Sequence, residues 1–343
     1  MLVGAQHALP FLSKTSLRHD HVICPRQLKR WLPYAIVDVP MTSPRNKATV
    51  SLHRALHATK PPEKITQESF EGNDGHLRRL VRLKPGDRAE SEDLWNYAQD
   101  ILYTKIQSSL LVYLLPFCLE AWHEDLKGNY GYGGFVEHLY PILASRKIFD
   151  EQLNPEQAAV VSDFMRQSIL EEIDDQRGLA YKGSKAKPYR WIGALTTYGV
   201  LRPDLGSLWA AWWSLETVGR AVAAVQYVSC LMYPENENPV FAPWTPDGGG
   251  GPPCLWDFEG HLYEHYWQAP NIKFLQAVLN VDNVSKLLNQ CSERIADQPE
   301  HVVAAQIQAD FPLLTDTLKA RCVELPRLLE ATDQSSKPLQ WPT

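Results

Sequence analysis

The chain has no CxxC pair. Its six cysteines, Cys24, Cys118, Cys230, Cys254, Cys291 and Cys322, fall at irregular intervals, which fits neither a disulfide framework nor a cysteine-based zinc site. It also lacks an excess of positive charge. Thirty-four Lys and Arg stand against 40 Asp and Glu, a net charge of −6, so binding nucleic acid by neutralising phosphates is not expected. The first 20 residues show no basic segment leading into a long apolar one, so no secretory signal is read there and a cytoplasmic protein with reduced thiols is expected. There is no G-x-S-x-G elbow, no G-x-x-x-x-G-K-[ST] loop and no G-x-G-x-x-G after a strand. No repeat of fixed period occurs, so a solenoid is not indicated.

What the chain does have is length, aromatics and one long apolar run. Its 343 residues suffice for one large domain or two ordinary ones. Eleven Trp and 14 Tyr are abundant, and such side chains carry much of the energy of cores and interfaces. Gly206–Tyr233 contains only two charges, Glu216 and Arg220, four residues apart and able to pair on one helical face. Trp209, Trp212, Trp213, Val218, Val222, Val225 and Val228 cover the remaining sides. A helix apolar nearly all round must be surrounded by protein or by lipid. Two mid-segment charges, no second span and no basic flank argue against lipid, so no membrane role is expected. The expectation is a mainly α-helical bundle around a central Trp-rich helix, 206–233.

Around that helix, residues 1–90 carry eight prolines and read as an irregular layer on the helical body, with room for a small β element. Ala35–Val39 and His76–Leu83 are the candidate strands or half-turns, and the basic run Arg78, Arg79, Arg82, Lys84 reads as a solvated face. Residues 91–233 read as the helical core. A helix starts at Ser91, with Ser91 as cap and Leu94, Ala98 and Ile101 on one face, and another covers Leu110–Lys127 with Pro116 as a bend or restart. Asn154 followed by Pro155 and Gln157 is a capping-box signature, and Gly178 stops that helix. Residues 234–260 are a loop rich in Pro and Gly, and 261–343 return to helices over Asn271–Leu279, Asp282–Ile295, Glu300–Asp310 and Leu313–Glu330, the last interrupted at Pro326. The C-terminal helices are expected to form one compact unit with 91–233.

Two local patterns invite a functional reading. His261-Leu-Tyr-Glu264-His265 is an H-x-x-E-H sequence, in which both His would ligate zinc and Glu264 would act as base. The segment leaves barely two helical turns before Pro270 and offers no distinctive third ligand, so a zinc hydrolase is the alternative rather than the main expectation, and no cofactor is expected. The second pattern is Glu171, Glu172, Asp174 and Asp175 in the last turn of a helix, where the macrodipole favours cations. Such an arrangement calls for compensation, either by nearby Arg177 and Lys182 or by a basic partner surface.

Two segments carry a resemblance. VYLLPFCLEAW at Val112–Trp122 and LNPEQAAVVSDFM at Leu153–Met165 resemble a poorly characterised bacterial helical family that pairs a YLPxFL helix with an LTPEQ helix start, over about residues 92–175. By general type, the acidic, Trp-rich, motif-poor chain also resembles immunity proteins of polymorphic-toxin and type VI secretion systems. That resemblance implies binding and neutralisation of a cognate toxin, and an acidic inhibitor suits a nuclease, whose cleft must be basic to hold phosphates. It supplies no site residues; those expected at the interface are Glu171, Glu172, Asp174 and Asp175 with Tyr130, Tyr132 and Trp244 as aromatic anchors. A scaffold or small-ligand binder is a further alternative, and a homo-oligomer is compatible with the composition.

Overall fold

The computed structural model describes residues 43–56, 60–84, 86–127, 139, 142–143, 147–178, 205–233, 276–277 and 279–334. Among these residues the protein is helical with no strand, so the small β element finds no counterpart in them. The helices are α1 (Pro44–Leu56), α2 (Gly75–Leu80), α3 (Ser91–Tyr103), α4 (Ser108–Lys127), α5 (Pro155–Asp174), α6 (Leu205–Trp213), α7 (Val218–Met232), α8 (Val281–Arg294) and α9 (His301–Gln334). A single π-helical turn, Ile148–Gln152, precedes α5. No helix among the described residues is long and apolar enough to cross a membrane.

α5 and α7 join the two sides of the core. α1 and α4 pack on α5, which in turn meets α6 and α7, while α8 and α9 pack on α7. α5 begins as its sequence demands. Asn154 Oδ1 accepts from Gln157 N at 2.9 Å, and Asn154 N donates back to Gln157 Oε1 at 3.1 Å. Val161, Phe164, Met165, Ile169 and Ile173 are then buried along one stripe. α4 runs straight through Pro116 without restarting, buried from Leu110 to Leu119. α3 starts one residue earlier in role than expected: Glu90 is the cap, and Ser91 is already helical.

Residues 43–56 and 75–80 are more regular than the prolines around them suggest. Ser43 Oγ accepts from Asn46 N at 3.1 Å and Pro44 occupies the first helical position, so α1 is capped and started by its own residues. Ala48, Leu52 and Leu56 are its buried face. His76–Leu80 belongs to α2, held to α3 by His76 Nε2 at 2.6 Å from Asp100 Oδ2 and by the Arg79–Asp93 ion pair. Ala35–Val39 lies outside the described residues.

The central run is two helices rather than one. The chain leaves α6 after Trp213, passes through Leu215 at φ 53° and restarts at Val218, capped by Thr217 Oγ1, which accepts from Arg220 N at 3.1 Å. A single straight helix would have kept Glu216 and Arg220 as a simple surface pair. Here that pair does form, at 3.0 Å, but Arg220 also donates to Ala211 O at 2.8 Å and to Ser214 Oγ at 3.1 Å. Arg220 thereby helps to satisfy the Ala211 carbonyl left open where α6 ends. The break lets four aromatic rings gather: Trp209 stacks on Trp212 at 5.0 Å, Trp213 sits edge-on to both, and Tyr227 is edge-on to Trp212 and tilted to Trp209. Trp209, Trp212 and Tyr227 are buried, and Trp213 is half-buried. The two C-terminal segments expected at Glu300–Asp310 and Leu313–Glu330 are likewise one helix, α9, which also runs through Pro326 without the expected interruption. It continues past Pro312 because Phe311 and Leu318 on either side stay buried on the same face.

Candidate functional site

The end of α5 gathers much of the buried polar chemistry of the described residues. Glu171 points between α1 and α4. Its Oε2 lies 3.1 Å from His123 Nε2, 3.7 Å from Lys127 Nζ and 3.7 Å from Arg45 Nε. His123 is completely enclosed, packed edge-on to Phe164. Neither of its ring nitrogens is in hydrogen-bond alignment with any protein group, and neither is Glu171 Oε2. Burial pushes the His123 pKa down, the neighbouring Glu171 carboxylate pulls against that shift, and the charges of Arg45 and Lys127 add to it. The contact with His123 holds the Glu171 carboxyl below its usual range, and the charges of Lys127 and Arg45 act in the same sense. Glu172 is buried beside them, and the donor atoms of His123, Glu171 and Glu172 all lie within 4.8 Å of one another. One turn back on α4, Glu120 Oε1 is 2.7 Å from His53 Nε2 of α1.

Asp174 turns the other way, to the start of α7. Its Oδ1 accepts from Thr217 Oγ1 at 2.6 Å and from Arg220 Nε at 2.8 Å, and its Oδ2 from Arg220 Nη2 at 3.3 Å. A carboxylate at a helix N-terminus is favourably placed. The four acidic residues therefore have different fates: Glu171 and Asp174 are engaged inside the protein, Glu172 is buried, and Asp175 is exposed. The compensation expected at this helix end comes from Arg45, Lys127 and Arg220. Arg177 contributes through Asp174 O and Gln176 O instead of the carboxylates, and Lys182 lies outside the described residues. So do Tyr130, Tyr132, Trp244, His261, Glu264 and His265.

A second feature was not evident in the sequence as read. α9 buries Ala304, Ile307, Phe311 and Leu318 against the core. On the opposite side Val302, Ala309, Leu313, Asp316, Ala320 and Val323 are exposed, with half-buried Ala305 among them. At 3.6 residues per turn these seven positions fall within a sector about 80° wide, running roughly 32 Å along the axis. Val302, Leu313 and Val323 are 74%, 83% and 76% exposed. Asp316 is the stripe's one charge, 3.1 Å from Lys319. A period near 3.6 on both faces was the available signal, masked by the division into two helices, Glu300–Asp310 and Leu313–Glu330.

No known protein family, curated protein or solved structure matches the chain.

Proposed function

We propose that this protein works by binding another protein, without turnover, and that the outward face of α9 is the surface used. The supporting observation is the exposed apolar stripe Val302–Val323. A helix that already buries one apolar face has no structural need of a second, and contiguous exposed apolar surface of this kind marks interaction sites. The partner that fits is a helix with its own apolar seam and a basic residue to meet Asp316, laid along α9 as helices pack in grooves and coiled coils. The net charge of −6 favours a basic partner through electrostatic steering. The narrower reading, an immunity protein holding a cognate toxin, rests on that charge and on the resemblance of type.

The test is co-expression with the product of the neighbouring gene. A stable complex and rescue of growth, both lost in Leu313→Glu with unchanged helical circular dichroism, support the reading. Rescue by Leu313→Glu at wild-type level removes α9 from the interface. One spacing favours a second copy as occupant: Val302/Val323 and Ala305/Ala320 are symmetric about the midpoint of Pro312 and Leu313, as an antiparallel pair of α9 helices requires. A dimer by light scattering that dissociates in Leu313→Glu assigns the face to self-association and ends the partner reading.

A further inference from the structure

We propose that His123, Glu171 and Glu172 form a binding site for a divalent transition-metal ion, held between α4 and α5. This stands apart from the α9 surface and does not depend on it. The key observation is His123. An imidazole always presents at least one N–H, and a neutral one also presents a lone pair. In a dry interior each needs a partner, and leaving one unmet costs about 1–3 kcal/mol. Both nitrogens of His123 are buried without a hydrogen-bonding protein group, a condition rare in native interiors and one that calls for explanation.

The spacing identifies what is missing at Nε2. His123 Nε2 and Glu171 Oε2 are 3.1 Å apart but not aligned with each other. Two donors bound to one ion at about 2.0–2.2 Å, separated by about 90–110°, lie roughly 3.0–3.5 Å from each other. Glu172 brings a third oxygen within the same 4.8 Å set. One imidazole and two carboxylates suit zinc, manganese or iron, with the remaining positions open to water. All the donors come from helices rather than loops, which holds them in place.

The site also carries its own competitors. Arg45 and Lys127 each sit 3.7 Å from Glu171 Oε2, and with Glu171 and Glu172 they make a formally neutral group. An entering cation must push them back. Lys127 is 41% exposed and has solvent to move into, so it acts as a displaceable counter-ion that weakens metal binding.

The experiment uses the full chain, dialysed against chelator and titrated with cobalt(II) and then zinc(II). The expected result is one equivalent of cobalt with a visible d–d spectrum, displaced by zinc. His123→Gln and Glu171→Gln each weaken it at least tenfold, and Lys127→Met, at an exposed position where folding is not at stake, tightens it several-fold. The proposal is overturned by the absence of saturable binding in the folded protein. It is equally overturned by binding that persists unchanged in Glu171→Gln and Lys127→Met, or that is lost in His261→Ala while kept in His123→Gln.

Discussion

Gly219 stands where α7 crosses the end of α5, and replacing it by alanine tests the packing directly. A Cβ there would lie 2.0 Å from the carbonyl oxygen of Asp174 and 2.5 Å from that of Ile173. Ordinary contact begins near 3.4 Å, so the helices must part by about 1.4 Å, and both obstacles are backbone. Overpacking of this kind costs typically about 1–3 kcal/mol, and more where nothing flexible can give. Separation would also stretch the Asp174 bonds to Thr217 and Arg220, whose charge-assisted members contribute about 1.5–3 kcal/mol each. Against this, alanine gains at most about 1 kcal/mol of helix propensity. The expected net loss is therefore about 3 kcal/mol, read as a lower urea midpoint with unchanged slope. Gly206→Ala is the matched control: Gly206 is also helical, but nothing lies within 4 Å of its added Cβ, so that variant should be neutral or slightly stabilised. A Gly219→Ala protein as stable as the control would refute the close approach of α5 and α7.

Three further outcomes are expected. Trp212→Ala removes a fully buried indole from the aromatic cluster and its Nε1 bond to Arg220 O, and should cost about 3–5 kcal/mol in chemical denaturation; a loss below about 1 kcal/mol would contradict the packing. Asn154→Ala removes one half of the capping box and should cost about 1 kcal/mol by the same measurement. Burial pushes the Cys118 and Cys291 thiols up to about 12, so neither should react with a thiol reagent at pH 8 until the protein unfolds, as mapped by mass spectrometry; rapid native labelling of either would contradict their burial.

Local signals were read well where they were complete within a few residues. Asn154-Pro155-x-Gln157 fixes the start of α5 because every group needed for the cap is in that tetrapeptide. Ser43-Pro44 is the same kind of signal for α1, overlooked beneath the prolines around it, although Ala48, Leu52 and Leu56 follow at helical spacing. The break at Ser214–Thr217 is different. Nothing in GSLWAAWWSLETVGRAV demands it; Asp174, about 40 residues earlier, makes it favourable by binding Thr217 and Arg220 at once. The acidic cluster was likewise recognised as needing compensation, but Arg45 and Lys127 come from helices whose placement only tertiary packing decides. The partner-binding role of those carboxylates and the H-x-x-E-H site at His261, Glu264 and His265 were neither met nor opposed by the described residues.

The pairing of α1 with α5 has a consequence in time. Leu56 ends α1 and Pro155 begins its most extensive partner, so about 100 residues separate them on the ribosome. At about 5–20 residues per second, roughly 5–20 seconds pass between them. During that interval Leu52 and Leu56, wholly enclosed in the finished protein, must wait for the surface that will cover them. α1 is thus made early and housed late, and a chaperone that shields apolar segments on nascent chains would find its target there.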